Sequence, residues 1–328
     1  MTKETSLRIS RLTTGLVAGL LALGLAAPAA AQNFPTGPVK IIIPFPPGGP
    51  TDTVGRILAK NLQEAWGQTV LIDYKPGAGT VIGADFVAKS APDGLTIGMV
   101  NSSLAVNPTL RKSLPYDTQK DLSGVTQLFD MQLAIVARTD APFNNLKEMI
   151  AYAKANPGKL NYGTPGAGST THLGGELLQR EAGFTMQHVG MKGSAPAHTE
   201  LMGGRLDLVI DPFLSILPYV KAGRMKMIAT MGDQKVSGHD YPTVSDVVPG
   251  FNVGALLGFV APSGTPRAVI QKIQADTAKA LAGAEIQARA REYGLKVVGS
   301  RPEQFDALLA REMQRWGKIV TEAKIQTE

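Results

Sequence analysis

Residues 39–80 read VKIIIPFPPGGPTDTVGRILAKNLQEAWGQTVLIDYKPGAGT, and this stretch decides the fold class. Val39, Ile41, Ile42 and Ile43 form an apolar, β-branched run stopped by Pro44, the pattern of a parallel strand buried on both faces. Beyond the glycines, Val54, Ile57, Leu58, Leu62 and Ala65 recur at helical spacing until Gly67, with Thr51 or Asp52 placed to cap the helix. A second strand is predicted over 69–74, then a glycine-rich turn, a helix over 80–90 and a strand over 95–100. This is a βαβαβ series, so the fold class is α/β with helices on both sheet faces.

Strand segments over 125–129 and 133–137 have no helix between them and read as a crossover into a second unit. There, helices over 145–155, 169–182, 195–202 and 212–222 alternate with strands over 160–163, 185–189, 206–210 and 225–230. An apolar strand over 255–260 is the natural return crossing. Three helical segments remain, over 266–281, 284–293 and 302–324. The last carries a stripe of Phe305, Leu308, Leu309, Trp316 and Ile319, the mark of a helix packed on a core. All three are expected on the first lobe. The resulting division is 32–133 with 257–328 for one lobe and 134–256 for the other.

Residues 1–31 differ in character from all of this. Lys3, Arg8 and Arg11 precede an uncharged apolar run over 12–27, and Ala29 and Ala31 supply a small-residue cleavage pattern. The segment reads as a secretory signal peptide cut between Ala31 and Gln32, and Pro28 with the alanine-rich end argues against a retained membrane anchor. Its loss lowers the net charge from +6 to about +4. The protein has no cysteine, which excludes a lipidated N-terminal cysteine and any disulfide. The remaining chain is long enough for two cores, and its scattered charges and few aromatic residues do not make a nucleic-acid surface.

Three strand-to-helix junctions share one composition: Pro44 to Asp52, Lys75-Pro76-Gly77-Ala78-Gly79-Thr80, and Thr164-Pro165-Gly166-Ala167-Gly168-Ser169-Thr170. The last two repeat Pro-Gly-Ala-Gly before a hydroxyl residue, one in each lobe. Glycine admits close backbone approach, and a helix start offers unpaired N–H groups and a positive dipole end, so an anion is the matched partner. Taken singly, each loop reads as a tight turn with a helix cap. Together they lie beyond the carboxyl ends of strands, where open α/β sheets bind ligands. Gly77, Gly79 and Gly83 do not complete a dinucleotide site, because the next strand ends at Asn101 without an acidic residue. No Walker A lysine, nucleophile elbow or metal-ligand spacing occurs, so neither cofactor nor metal is expected. His172 reads as structural. Asp211 before Pro212 is either an N-cap or an acid that meets a ligand's polar end, Asp52 has the same two readings, and Lys192 reads as solvated.

The loops resemble a known family, the substrate-binding receptors of tripartite tricarboxylate transporters, also called Bug proteins. The resemblance rests on Pro44-Phe45 with Pro47-Gly48-Gly49 and Thr51-Asp52, on Lys75-Pro76-Gly77-Ala78-Gly79, Ala91-Pro92-Asp93-Gly94, Asn107-Pro108 and Leu114-Pro115-Tyr116-Asp117. It continues through 153–160, Gly168-Ser169 with His172-Leu173, Lys192-Gly193 with Ala195-Pro196, and 261–266. It implies a type II periplasmic binding protein, two α/β lobes around a ligand cleft with a two-strand hinge, monomeric and exported to the periplasm. It also implies a small organic carboxylate as ligand and two integral-membrane transporter subunits as partners. Carried over by position, the ligand-binding residues are Phe45, Pro46, Gly49 and Asp52; Gly77, Ala78 and Gly79; and Thr164, Gly168, Ser169, Thr170 and Asp211. Pro46 and Thr164-Pro165 stand where the family usually has smaller residues. A ligand sensor for a signalling system is the alternative, and a carboxylate-acting enzyme a more distant one, since no nucleophile or acid–base pair is evident. Export has a direct test: mass spectrometry of protein from the periplasmic fraction is expected to give Gln32 as the first residue, and an intact N-terminus in membranes would restore the anchor.

Overall fold

A computed structural model describes residues 34–322 apart from Gly49. The expected signal peptide and its expected cleavage point therefore lie outside the described residues. The parallel core begins with β1 (Val39–Ile43), which pairs with β2 (Val70–Tyr74) on one side and β3 (Thr96–Asn101) on the other. Ile41 and Ile43 point to one face and Ile42 to the other, all fully buried, which is why an unbroken apolar run is the right code for this strand. Helix α1 (Pro50–Trp66) covers the first face and α2 (Val81–Ala88) the second.

Next comes α3 (Ser103–Leu110), which the sequence reading leaves unassigned because Pro108 sits inside it. The segments read as two strands are one, β4 (Leu122–Ala137), 16 residues long. Gln127, Asp130 and Gln132 interrupt its apolar pattern without breaking its pairing. The strand changes partner midway. Up to Gln132 it runs antiparallel to β9 (Gly254–Pro262); from Leu133 it pairs with β7 (Leu208–Pro212) and β8 (Lys226–Thr230) of the second lobe. The second lobe adds β5 (Asn161–Thr164) and β6 (Gln187–Gly190), with α4 (Leu146–Ala155), α5 (Thr170–Ala182), α6 (Ser194–Met202) and α7 (Phe213–Lys221) around them. The continuous sheet order is β2-β1-β3-β9-β4-β7-β5-β6.

The return crossing falls earlier than expected. All of β9 pairs within the first lobe, and the chain recrosses at Val253, whose N–H donates to Met231 O (2.7 Å) while the Met231 N–H donates to Leu133 O (2.8 Å). The apolar run over 255–260 marks a strand buried in the middle of a sheet, and sequence alone does not separate that from a hinge.

Helices α8 (Arg267–Leu281) and α9 (Ala284–Glu292) pack on the first lobe as expected, with Trp66 Nε1 donating to Asp276 at 2.8 Å. The short β10 (Leu295–Val297) joins β4, and α10 (Pro302–Glu322) behaves differently from the expectation. Phe305 and Leu309 complete the first lobe beside Ile42 and Val260, whereas Trp316, Ile319 and Val320 lie in the second lobe's core with Leu173 and Leu177. An Arg180–Glu322 ion pair continues the contact. A helix of 21 residues is about 30 Å long, enough to span both lobes. Trp316 is fully buried, so Trp316→Ala is expected to cost about 3–5 kcal/mol in urea denaturation, and a loss below ~1 kcal/mol would show that α10 does not carry the junction.

Candidate functional site

The first glycine loop leaves β1 at Ile43 and enters α1. Asp52, in the first turn of that helix, accepts hydrogen bonds from Gly48 N (2.8 Å), Tyr74 Oη (2.6 Å) and Arg56 Nε (3.0 Å). Burial alone would raise its pKa, but the Tyr74, Gly48 and Arg56 contacts outweigh burial and hold it below the ordinary value. The carboxylate thus fastens the first loop to the end of β2, which is the ordering role among its two readings. Phe45 packs partly into the first lobe's core, Pro46 is exposed, and Gly49 lies outside the described residues.

The second loop carries four successive residues at positive φ: Gly77 (125°), Ala78 (47°), Gly79 (62°) and Thr80 (77°). Ala78 and Thr80 pay a steric cost there that glycine does not, so something must hold them. The restraint is α3. Asn107 Nδ2 donates to Gly79 O (3.1 Å) and Arg111 Nη2 to Ala78 O (2.7 Å). In a trans peptide the N–H is opposed to the C=O, so drawing the Ala78 carbonyl onto Arg111 turns the Gly79 N–H to the opposite side.

The third loop is tied internally. Ser169 caps α5 by accepting from His172 N (3.3 Å), and its hydroxyl donates to Gly166 O (2.7 Å). Gly168 N donates to His172 Nδ1 (2.9 Å), so that nitrogen carries no proton. Thr164, fully buried, donates its hydroxyl to Gly166 O (3.1 Å), and the same oxygen lies 2.7 Å from His188 Nε2. His172 and His188 stack with centroids 3.6 Å apart, and burial lowers both pKa values, that of His188 to about 3. Two neutral imidazoles therefore buttress this loop. The N–H groups of Thr170 and Thr171, in the first turn of α5, have no intrahelical acceptor and remain the donors of this helix start.

The loops meet at α3. A methyl group on Gly168 would lie 2.1 Å from Leu110 Cδ2, so the second lobe's loop rests directly on the helix that restrains the first lobe's loop. The first and second loops are in turn joined by Asp52–Tyr74 and by Gly83, where an added Cβ would meet Pro44 at 2.8 Å.

Asp211 is arranged differently from either expectation. It ends no loop and caps no helix: it is a β7 residue, Pro212 is the N-cap of α7, and its carboxylate is fully buried between Ser194 Oγ (3.0 Å) and His198 Nε2 (2.8 Å). Burial raises its pKa against the opposing effect of those two partners. Serine, histidine and aspartate are the types found in hydrolytic triads, but here the serine donates to the aspartate and not to the histidine. Among the described residues no group of three or more His, Asp or Glu is arranged to hold a metal ion, and no helix is long and apolar enough to cross a membrane. A cavity of about 560 Å³ does exist beside β4 and β10, lined by Asp130, Gln132, Lys235, Arg291 and Lys296 among others. It contains no residue of the three loops.

Asn107, Leu110, Arg111 and His188 are the residues that sequence reasoning missed. Asn107-Pro108 stands among the motifs of the resemblance, and Leu104, Ala105 and Leu110 carry a helical apolar signal that Pro108 masks.

Residues 54–325 match the family model for the tripartite tricarboxylate transporter family receptor. The BugT protein of Bordetella pertussis is 34% identical over 303 residues, covering 91% of this chain and 93% of its own. Among solved structures, an R. palustris protein with adipate has a TM-score of 0.83 at 29% identity and covers 89% of this chain and 99% of its own. The MatC protein of Rhodopseudomonas palustris with bound malate has a TM-score of 0.75 at 30% identity, covering 88% and 100%.

The Asp52 contacts have a pH consequence. Its folded pKa is depressed, so its stabilisation is present above the unfolded value of 3.8 and is lost as pH falls through the lower folded value. Tyr74→Phe removes one donor, costs about 1 kcal/mol at neutral pH and raises the folded pKa of Asp52 toward 3.8, so in urea titrations at stepped pH the stability gap to wild type is expected to close as pH falls below 3.8. Superimposable pH profiles for variant and wild type would contradict it.

Proposed function

The chain belongs to the tripartite tricarboxylate transporter receptor family; it is a solute-binding receptor and not an enzyme, and we propose that its three glycine loops form the mouth in which a small organic carboxylate is captured. The observation that carries the reading is the meeting of the two Pro-Gly-Ala-Gly loops, one from each lobe, on α3. One face of the second loop is used up by α3, which leaves the Gly79 N–H turned away from it, and the start of α5 offers N–H donors from the other lobe. Hydrogen bonds to a charged group contribute about 1.5–3 kcal/mol each, so a few such donors hold a carboxylate without a dedicated ion pair. The adipate and malate found in the related structures are ligands of this chemistry.

On this reading Phe45, Pro46, Gly49, Gly77, Ala78, Gly79, Thr164, Gly168, Ser169 and Thr170 form the mouth, while Asp52 and Asp211 act from behind it. Their carboxylates are occupied by protein partners, and Asp211 is shut away from solvent. The receptor works in the periplasm after removal of residues 1–31 and hands its ligand to two membrane subunits.

Closure follows from the same geometry. A ligand that takes donors from both lobes binds the closed form better, and that difference shifts the population. A thermal-shift screen of mono-, di- and tricarboxylates tests the ligand class: ligand at about 100 times its Kd adds about 2.7 kcal/mol of stability. Strong stabilisation by another class of compound and none by carboxylates would defeat it. Gly168→Ala places a methyl against Leu110 and should weaken binding and the ligand-induced compaction seen by small-angle scattering. Adding Leu110→Ala removes the clash and should recover part of both; equal binding by all three proteins would remove the closure mechanism.

A further inference from the structure

His172 lies behind the third loop and is joined to it by one bond. Its Nδ1 accepts the buried Gly168 N–H at 2.9 Å, and Gly168 is also the residue that meets Leu110 of α3 where the lobes touch. The other ring nitrogen, Nε2, faces Glu176 Oε1 at 3.8 Å. A neutral imidazole carries one proton, and with Nδ1 bare that proton is on Nε2. A second proton can therefore go only to Nδ1, the atom that holds Gly168. Two donors then face each other, a buried N–H is left without an acceptor, and the loop has to move to find one.

The surroundings make His172 the ring of the stacked pair that titrates first. Glu176 draws a proton toward His172, whereas His188 joins no ion pair among the described residues and is held down to about 3 by burial and by a charge on His172. Burial still keeps His172 below the ordinary histidine value of 6.5, so Nδ1 is bare at neutral pH. The other ionisable groups on the elements packed around it are engaged elsewhere. Tyr162 of β5 donates to Glu176 at 2.6 Å, Arg180 pairs with Glu322 of α10, Glu312 of α10 accepts from Trp316 Nε1, and Arg111 of α3 is bound to Ala78 O.

We propose that His172 is the positioning residue of the third loop and an acid latch on the receptor: bare, its Nδ1 keeps Gly168 seated on α3 and the lobes together around the ligand; protonated, it frees the loop and the ligand leaves. The proposal rests on the reading of the three loops as a carboxylate mouth and adds to it a release triggered from behind the binding surface. Because the ligand-holding form is the neutral one, affinity is full above 6.5 and is lost as pH falls through the lower value of His172.

Calorimetric titrations with malate and adipate at about pH 7.5 and about pH 4.5 test this, each protein being compared with itself so that changes at neutral pH divide out. In His172→Asn the side-chain oxygen lies near the place of Nδ1, accepts the Gly168 N–H and takes no proton. Wild type should lose at least about 5-fold more affinity on acidification than His172→Asn, within the tenfold per pH unit that one linked proton allows. The carboxyl groups of the ligand, Asp52 and Asp211 titrate in both proteins and cancel. His172→Leu has no acceptor and should bind more weakly than His172→Asn at neutral pH. In amide NMR spectra without ligand, the Gly168 signal should move with the His172 titration in wild type and hold still in His172→Asn. Circular dichroism confirms that each variant is folded.

If wild type and His172→Asn lose affinity in the same proportion, the latch fails while the carboxylate reading stands. The same holds if His172→Leu binds as tightly as His172→Asn, or if the Gly168 signal ignores the His172 titration. If wild type binds neither acid at either pH while a compound of another class binds, the carboxylate reading itself fails and this proposal with it.

Discussion

The proposed ligand mouth turns on the hydrogen bonds from Asn107 and Arg111 to two consecutive carbonyls of the second glycine loop. Four residues in a row at positive φ are held there, two of them with a Cβ. Non-glycine residues at positive φ cost of order 1–3 kcal/mol each, and two hydrogen bonds, one of them charge-assisted, are of the right size to offset that. The cost has a purpose. Fixing the carbonyls on one side leaves N–H groups on the other, and it does so before any ligand arrives. A site built from backbone donors gains affinity from such preorganisation, since no loop has to be ordered on binding.

The acids of the site illustrate the same economy. Asp52 and Asp211 are both prominent in the sequence, each beside a glycine loop or a helix start. In the structure both face inward, Asp52 to Tyr74, Gly48 and Arg56, Asp211 to Ser194 and His198. A bare carboxylate in a cleft meant for an anion would repel it. Buried and bonded, these acids place β-strand ends and helices relative to one another. The stacked neutral pair His172 and His188 serves the third loop in a comparable way, with no charge to lose on burial.

Much of this architecture was legible in the sequence. Val39–Ile43 announces a strand buried on both faces, and the apolar spacing of 54–65 and of 305–319 announces helices, because periodicity follows directly from which side of an element meets the core. The three loops were legible because glycine, proline and hydroxyl residues mark strand-to-helix turns. What stayed hidden was whatever depends on partners far away in the chain. Helix α3 was masked by Pro108, and its role requires knowing that residue 111 lies beside residue 78. The unity of β4 was obscured by Gln127, Asp130 and Gln132, which sit where the strand leaves one lobe's surroundings for the other's. Asp211 before Pro212 looks like a cap in any local window; only the position of His198 turns it into a buried anchor.

Helix α10 has a consequence for how the protein comes into being. Its first half closes one core with Phe305 and Leu309, and its second half closes the other with Trp316, Ile319 and Val320. A polypeptide that emerges N-terminus first can therefore complete neither lobe until its last turns have appeared. The lobes are two in shape and one in assembly: a gene cut at Val253 would deliver two fragments, each lacking a wall.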